Sequence, residues 1–169
     1  PHPSYPSAHS CISGASYQAL TAAFPNERDY LANAANEVAL REAHALVTEG
    51  VAGWPHRRMA VLGSSLGGFY ATVIAERFGC PAVLLNPAVD PARDLAAYIG
   101  EQRGFHDPAD RFYFRPEFID ELRVLTPGPI SAPQRYFAVI AKGDELLDWR
   151  EMLGRYPGAT IRLLEGSDH

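Results

Sequence analysis

The sequence predicts an α/β fold, a mostly parallel sheet flanked by helices, and three observations carry that expectation. Apolar runs of strand length, RMAVL at 58–62, AVLL at 82–85, RYFAVIA at 135–141 and TIRLL at 160–164, alternate with stretches of helical spacing. The first two runs are joined by a tight glycine-rich turn and one helix. That is a βαβ crossover, which makes its strands parallel and lays a helix on the sheet. The 169 residues, 47% hydrophobic and 21% charged, suffice for one packed core and argue against a disordered chain. A single domain over residues 1–169 is expected.

Taken in order, residues 1–8 carry three prolines and cannot build a central strand. Helices are expected at 17–24 and 37–48, the second with Ala39, Leu40, Ala43, Leu46 and Val47 at helical intervals and Gly50 as its stop. Residues 58–62 form a buried strand, and the turn at 63–68 leads into a helix over 69–78 that Gly79 and Pro81 end. Residues 82–85 form a second buried strand, closed by Asn86-Pro87. Residues 90–133, rich in Pro, Asp, Arg and aromatics, show helices at 92–100 and 116–125 but no strand-like run, and are expected to form an inserted cap. A third strand at 135–141, a helix at 148–156 ended by Pro157-Gly158, and a fourth strand at 160–164 complete the order.

Charge and cysteine content exclude several function classes. Lys and Arg number 15 against 20 Asp and Glu, a net charge of -5, so no basic field draws in nucleic acid or an anionic membrane. The pair Arg57-Arg58 fits a solvated strand entrance. Cys11 and Cys80 stand outside any C-x-x-C or spaced-histidine pattern, so neither a disulfide framework nor a zinc site is indicated. No apolar run approaches the roughly 18 residues of a membrane span, and the first residues lack a charged-then-apolar signal pattern. Cytoplasmic location is the expectation.

Chemistry concentrates at Gly63-x-Ser65-x-Gly67. This spacing, between a strand and a helix, is the nucleophile-elbow pattern: the serine sits on a strained turn and glycines relieve the crowding. A dinucleotide cradle would need a glycine at position 65 and an acidic residue about 20 residues on. The chain has Ser65 and, after the next strand, Asn86. Serine is a poor nucleophile without a base, and the base needs a carboxylate to orient it. Asp144 follows the third strand in Lys142-Gly143-Asp144, with Glu145 and Asp148 as rivals, and His169 follows the fourth in Gly166-Ser167-Asp168-His169. Asp168 fits a loop cap better than a catalytic role. His2, His9, His44, His56 and His106 occupy no equivalent position.

The blocks GSSLGGFYAT, LLNPAVDP, KGDELLDWREM and EGSDH resemble, in content and order, the YqiA-like small bacterial esterases of the α/β-hydrolase superfamily over residues 58–169. That resemblance implies a Ser65, Asp144, His169 triad and the backbone N–H of Leu66 as an oxyanion donor. It further implies hydrolysis of carboxylic esters, with acyl thioesters as a second substrate class, through an acyl-enzyme and without a cofactor or metal. The family's opening strand ends in His-Gly and supplies a second oxyanion donor. Its nearest counterpart here is His9-Ser10-Cys11, with Cys11 as the donor. Cap aromatics Tyr98, Phe105, Phe112, Tyr113 and Phe114 fit an acyl pocket and packing of the cap equally.

The start of the chain departs from that pattern. HPSYPSAHSCISGA is similar to the Pro-Ser-Gly-His segment of the vanadium haloperoxidase and acid phosphatase superfamily, with Ala8 replacing the glycine. By that similarity Ser7 and His9 would hold a phosphate. The superfamily's remaining basic, Ser-Arg, His and Asp segments are missing, so a turn is favoured there. The departure keeps a second function class open, a catalytically impaired binding or interaction protein on the same fold. Reaction of Ser65 with a fluorophosphonate would separate the two.

Overall fold

The structure, a computed structural model, describes residues 40–103 and 111–169. The expected helix at 17–24, the first residues of that at 37–48, Phe105 and His106 lie outside the described residues. In chain order the elements are α1 (Leu40–Val51), β1 (Val61–Ser64), α2 (Leu66–Phe78), β2 (Ala82–Leu85), α3 (Pro91–Leu95), β3 (Gly100–Arg103), β4 (Arg111–Phe114), α4 (Pro116–Leu125), β5 (Tyr136–Ala141), α5 (Trp149–Arg155) and β6 (Thr160–Leu164). They fall into two compact units, one of Ala52–Pro91 with Thr126–His169 and one that takes Leu40–Val51 with the described residues of 92–125.

The first unit holds a parallel sheet in the order β1-β2-β5-β6. Its register runs Gly63 to Leu84 to Ala138 to Ile161, so every strand ends along one edge. Ala82, Leu84, Tyr136, Ala138 and Ile140 make one buried face, closed by α2 with Phe69 and Val73, by α5 with Met152, and by Tyr156, the residue after α5. The Tyr156 ring lies 5.7 Å from that of Tyr136, and its hydroxyl meets Thr72 Oγ1 of α2 at 2.8 Å. Full burial of each large apolar side chain contributes about 1.5–3 kcal/mol, so this face is the main adhesive of the unit.

Three expectations are corrected here. The first strand begins at Val61 because Pro55 accepts the Arg58 N–H and folds His56–Arg58 into a 3₁₀ turn, leaving Arg57 and Arg58 exposed. The strands are not buried on both sides: Leu62, Leu85 and Phe137, on the opposite face, are exposed. The 90–133 segment does contain strands, since β3 and β4 pair antiparallel from Gly100–Phe114 to Arg103–Arg111. The polar GEQR carries no strand signal of its own and gains its conformation from its partner.

In the second unit α1 packs against α4, whose Phe118, Ile119 and Leu122 are buried. Phe114 sits edge-on to Phe118 at 5.4 Å, and the Arg115 guanidinium covers the same ring at 4.7 Å. Among the described residues no helix is long and apolar enough to cross a membrane.

A polar cluster fastens α2 to the start of β5. Glu76 accepts from the Tyr136 hydroxyl at 2.5 Å, from Arg135 at 3.1 Å and from the Ser131 N–H at 3.0 Å. Burial alone would raise the Glu76 pKa, but the Tyr136, Ser131 and Arg135 contacts outweigh it and hold the carboxyl below its ordinary range. A depressed carboxylate stabilises the fold above its unfolded-state pKa, and that contribution fades as pH falls through the folded value. Thermal midpoints of wild type should therefore drop on acidification below about pH 4.5. Glu76→Gln should cost about 2 kcal/mol near neutrality and flatten that acid limb, as differential scanning fluorimetry across pH would read.

Candidate active site

Ser65 lies between β1 and α2 with φ 52 and ψ −123, a left-handed backbone that costs a serine about 1–3 kcal/mol. Hydrogen bonds hold it there. Its N–H donates to the Leu85 carbonyl at 2.9 Å, and its own carbonyl accepts from Gly68 and Ala88, each at 2.9 Å. The turn is also crowded. A Cβ on Gly63 would collide with the Gly67 carbonyl, and one on Gly68 would come within 2.7 Å of Pro87. Position 67 is open, so the glycines the turn requires are 63 and 68 rather than 63 and 67. The N–H of Leu66, the first residue of α2, lies next to Ser65 at a helix start, where backbone donors have no intrahelical acceptor.

The acid and histidine loops leave β5 and β6 at the same sheet edge. They are laced together: Lys142 N–H donates to the Leu164 carbonyl at 2.9 Å and Gly143 N–H to the Ser167 carbonyl at 3.1 Å. A side chain at Gly143 would strike that Ser167 carbonyl at 2.7 Å, which explains the glycine before the aspartate. Asp144 Oδ2 meets His169 Nδ1 at 2.7 Å, with the Asp144 side chain fully buried and that of His169 15% exposed. Asp144 Oδ1 accepts the N–H groups of Leu146 and Leu147 at 2.9 and 2.8 Å. Both carboxylate oxygens are thus engaged, which offsets the cost of burying the charge.

The rivals to Asp144 have other work. Asp148 caps α5 by accepting from the Arg150 N–H at 2.9 Å, and Glu145 accepts the His169 backbone N–H at 3.3 Å. The Asp168 carbonyl accepts from Asn86 Nδ2 at 3.3 Å. Asn86, which the sequence marks only as a strand end, also accepts the Ala141 N–H at 2.7 Å. No hydrogen bond joins the Ser65 hydroxyl to His169 among the described residues. Such bonds often tighten only when substrate binds. Cys11, Ser7 and His9 lie outside the described residues. Cys80 is fully buried, and burial pushes its thiol pKa up. Among the cap aromatics, Phe114 is buried against Phe118, whereas Tyr113 is exposed.

Comparison with known proteins agrees with this architecture. The model of the Uncharacterised protein family (UPF0227) matches residues 17–169. Among solved structures, mouse alpha/beta hydrolase domain-containing protein 10 is similar with a TM-score of 0.58 and 18% identity, covering 79% of this chain. A monoacylglycerol lipase from Paleococcus ferrophilus is similar with a TM-score of 0.53 and 16% identity, over 78% of this chain and 67% of the lipase. The chain spans 62% of the mouse protein's length. At these identities the likeness establishes the fold, that of the α/β-hydrolases.

Proposed function

The chain belongs to the UPF0227 family, and from that premise we propose that it is a serine hydrolase cleaving carboxylic esters, with acyl thioesters as a second substrate class. One observation carries the reading: a buried aspartate holds an imidazole at 2.7 Å, on the sheet edge where a serine is fixed at φ 52. Ser65 Oγ attacks the substrate carbonyl as its proton passes to His169 Nε2. Asp144 keeps the other proton on Nδ1 and stabilises the imidazolium. The Leu66 N–H donates to the developing oxyanion. Collapse of the tetrahedral intermediate breaks the ester bond, and the leaving alcohol departs with the proton from Nε2. Water then gives its proton to the same nitrogen, attacks the acyl-enzyme and releases the acid, with Ser65 regaining its hydrogen.

A fluorophosphonate probe, followed by peptide mass spectrometry, tests this directly. The adduct is expected on Ser65, together with turnover of short-chain 4-nitrophenyl esters by the unlabelled protein. Absence of both would dismiss the reading.

A further inference from the structure

Asn86 is held in a conformation that asparagine tolerates but does not prefer, and its side chain reaches two loops of the site. Its φ is 41, it is followed by Pro87, and it is buried. β2 ends one residue earlier, where Leu85 pairs with Val139. The Asn86 N–H still donates to the Val139 carbonyl at 3.0 Å, as a further strand residue would. The left-handed turn then carries the main chain away, and the next donor of β5, the Ala141 N–H, is taken by Asn86 Oδ1 at 2.7 Å. The side chain therefore replaces a rung of the ladder that the backbone has abandoned. Its Nδ2 donates to the Asp168 carbonyl at 3.3 Å, on the residue before His169. The amide can face only one way, because Ala141 N–H can only donate and the Asp168 carbonyl can only accept.

We propose that Asn86 is a positioning residue, which sets the placement of His169 relative to Ser65 by tying Asp168 to the end of β5; this rests on the serine-hydrolase reading above. The two sides of the reaction are joined through it. Leu85 anchors the nucleophile turn by accepting the Ser65 N–H at 2.9 Å, and its covalent neighbour Asn86 holds the histidine loop. The aspartate cannot set that spacing. Its contact fixes the imidazole against β5 at 2.7 Å but makes no link to the β1–α2 turn. Among the described residues, the other ties on the histidine loop, Gly143 N–H to the Ser167 carbonyl, His169 N–H to Glu145 and Lys142 Nζ to Glu165, also lead back to the acid loop.

Asn86→Asp separates the two bonds. A carboxylate oxygen still accepts from Ala141, but the second oxygen faces the Asp168 carbonyl and repels it. Steady-state turnover of 4-nitrophenyl butyrate and the rate of fluorophosphonate labelling are both expected to fall about 10- to 100-fold, with KM unchanged. The downfield Nδ1 proton resonance of His169 should persist, because the Asp144 contact is untouched. Asn86→Gly, which adopts this φ without strain and loses both side-chain bonds, gives the same direction of effect if the aspartate variant fails to fold. Wild-type kcat and labelling in either folded variant, even with a lowered thermal midpoint, would overturn the positioning role alone. A wild-type protein that neither labels nor turns over ester would overturn the hydrolase reading, and this inference with it.

Discussion

Replacing Ser65 with alanine is expected to lower kcat for short-chain esters by about 10⁶, leaving only the residual rate that binding and the oxyanion donors supply, and to abolish fluorophosphonate labelling. The change removes one oxygen and little else. The backbone bonds that hold position 65, from its N–H to Leu85 and from Gly68 and Ala88 to its carbonyl, do not involve the side chain. Alanine meets the same penalty at φ 52 as serine does, so the strained turn is neither relieved nor worsened. Thermal unfolding should therefore shift little while activity disappears, and that separation is the informative result. His169→Ala should match the loss in turnover, because nucleophile and base act as a unit. Ester turnover that survives Ser65→Ala in a folded protein would mean the serine is not the nucleophile.

Some of this site could be seen in the sequence because tight geometry restricts residue choice. The β1–α2 turn tolerates nothing larger than glycine at 63 and 68, and the acid loop nothing larger at 143, since each site faces backbone or a proline ring. Such constraints leave glycines in the chain, and Ser65 and Asp144 could be found beside them. Strand faces were less legible. RMAVL and RYFAVIA look apolar throughout, yet Leu62 and Phe137 point away from the helices that cover Tyr136 and Ala138. A continuous apolar run cannot reveal which of its alternate residues will meet a helix. β3 was hidden for another reason: GEQR becomes a strand only through β4. Asn86 escaped because an Asn-Pro pair after a strand signals a turn, and nothing local shows that its amide will be used 55 and 82 residues away.

Asp144→Asn should reduce kcat by about 10⁴ without detaching the loop. The loop is pinned by Leu146 and Leu147 donating to Oδ1, and an asparagine carbonyl oxygen accepts the same two bonds. Its NH₂ then occupies the place of Oδ2, 2.7 Å from His169 Nδ1, and donates where the carboxylate accepted. To receive that bond the imidazole must carry its proton on Nε2 instead of Nδ1, and a nitrogen already protonated cannot take the hydrogen of Ser65. The imidazolium also loses its counter-charge. Fold and KM are expected to stay close to wild type, and the downfield Nδ1 proton should vanish from the spectrum. Asp148→Asn is the matching control. It changes a carboxylate four residues away, but asparagine caps a helix as well as aspartate does, so α5 and turnover should both be preserved. Turnover that withstands Asp144→Asn and collapses with Asp148→Asn would transfer the orienting role to the cap residue and refute the pairing at His169.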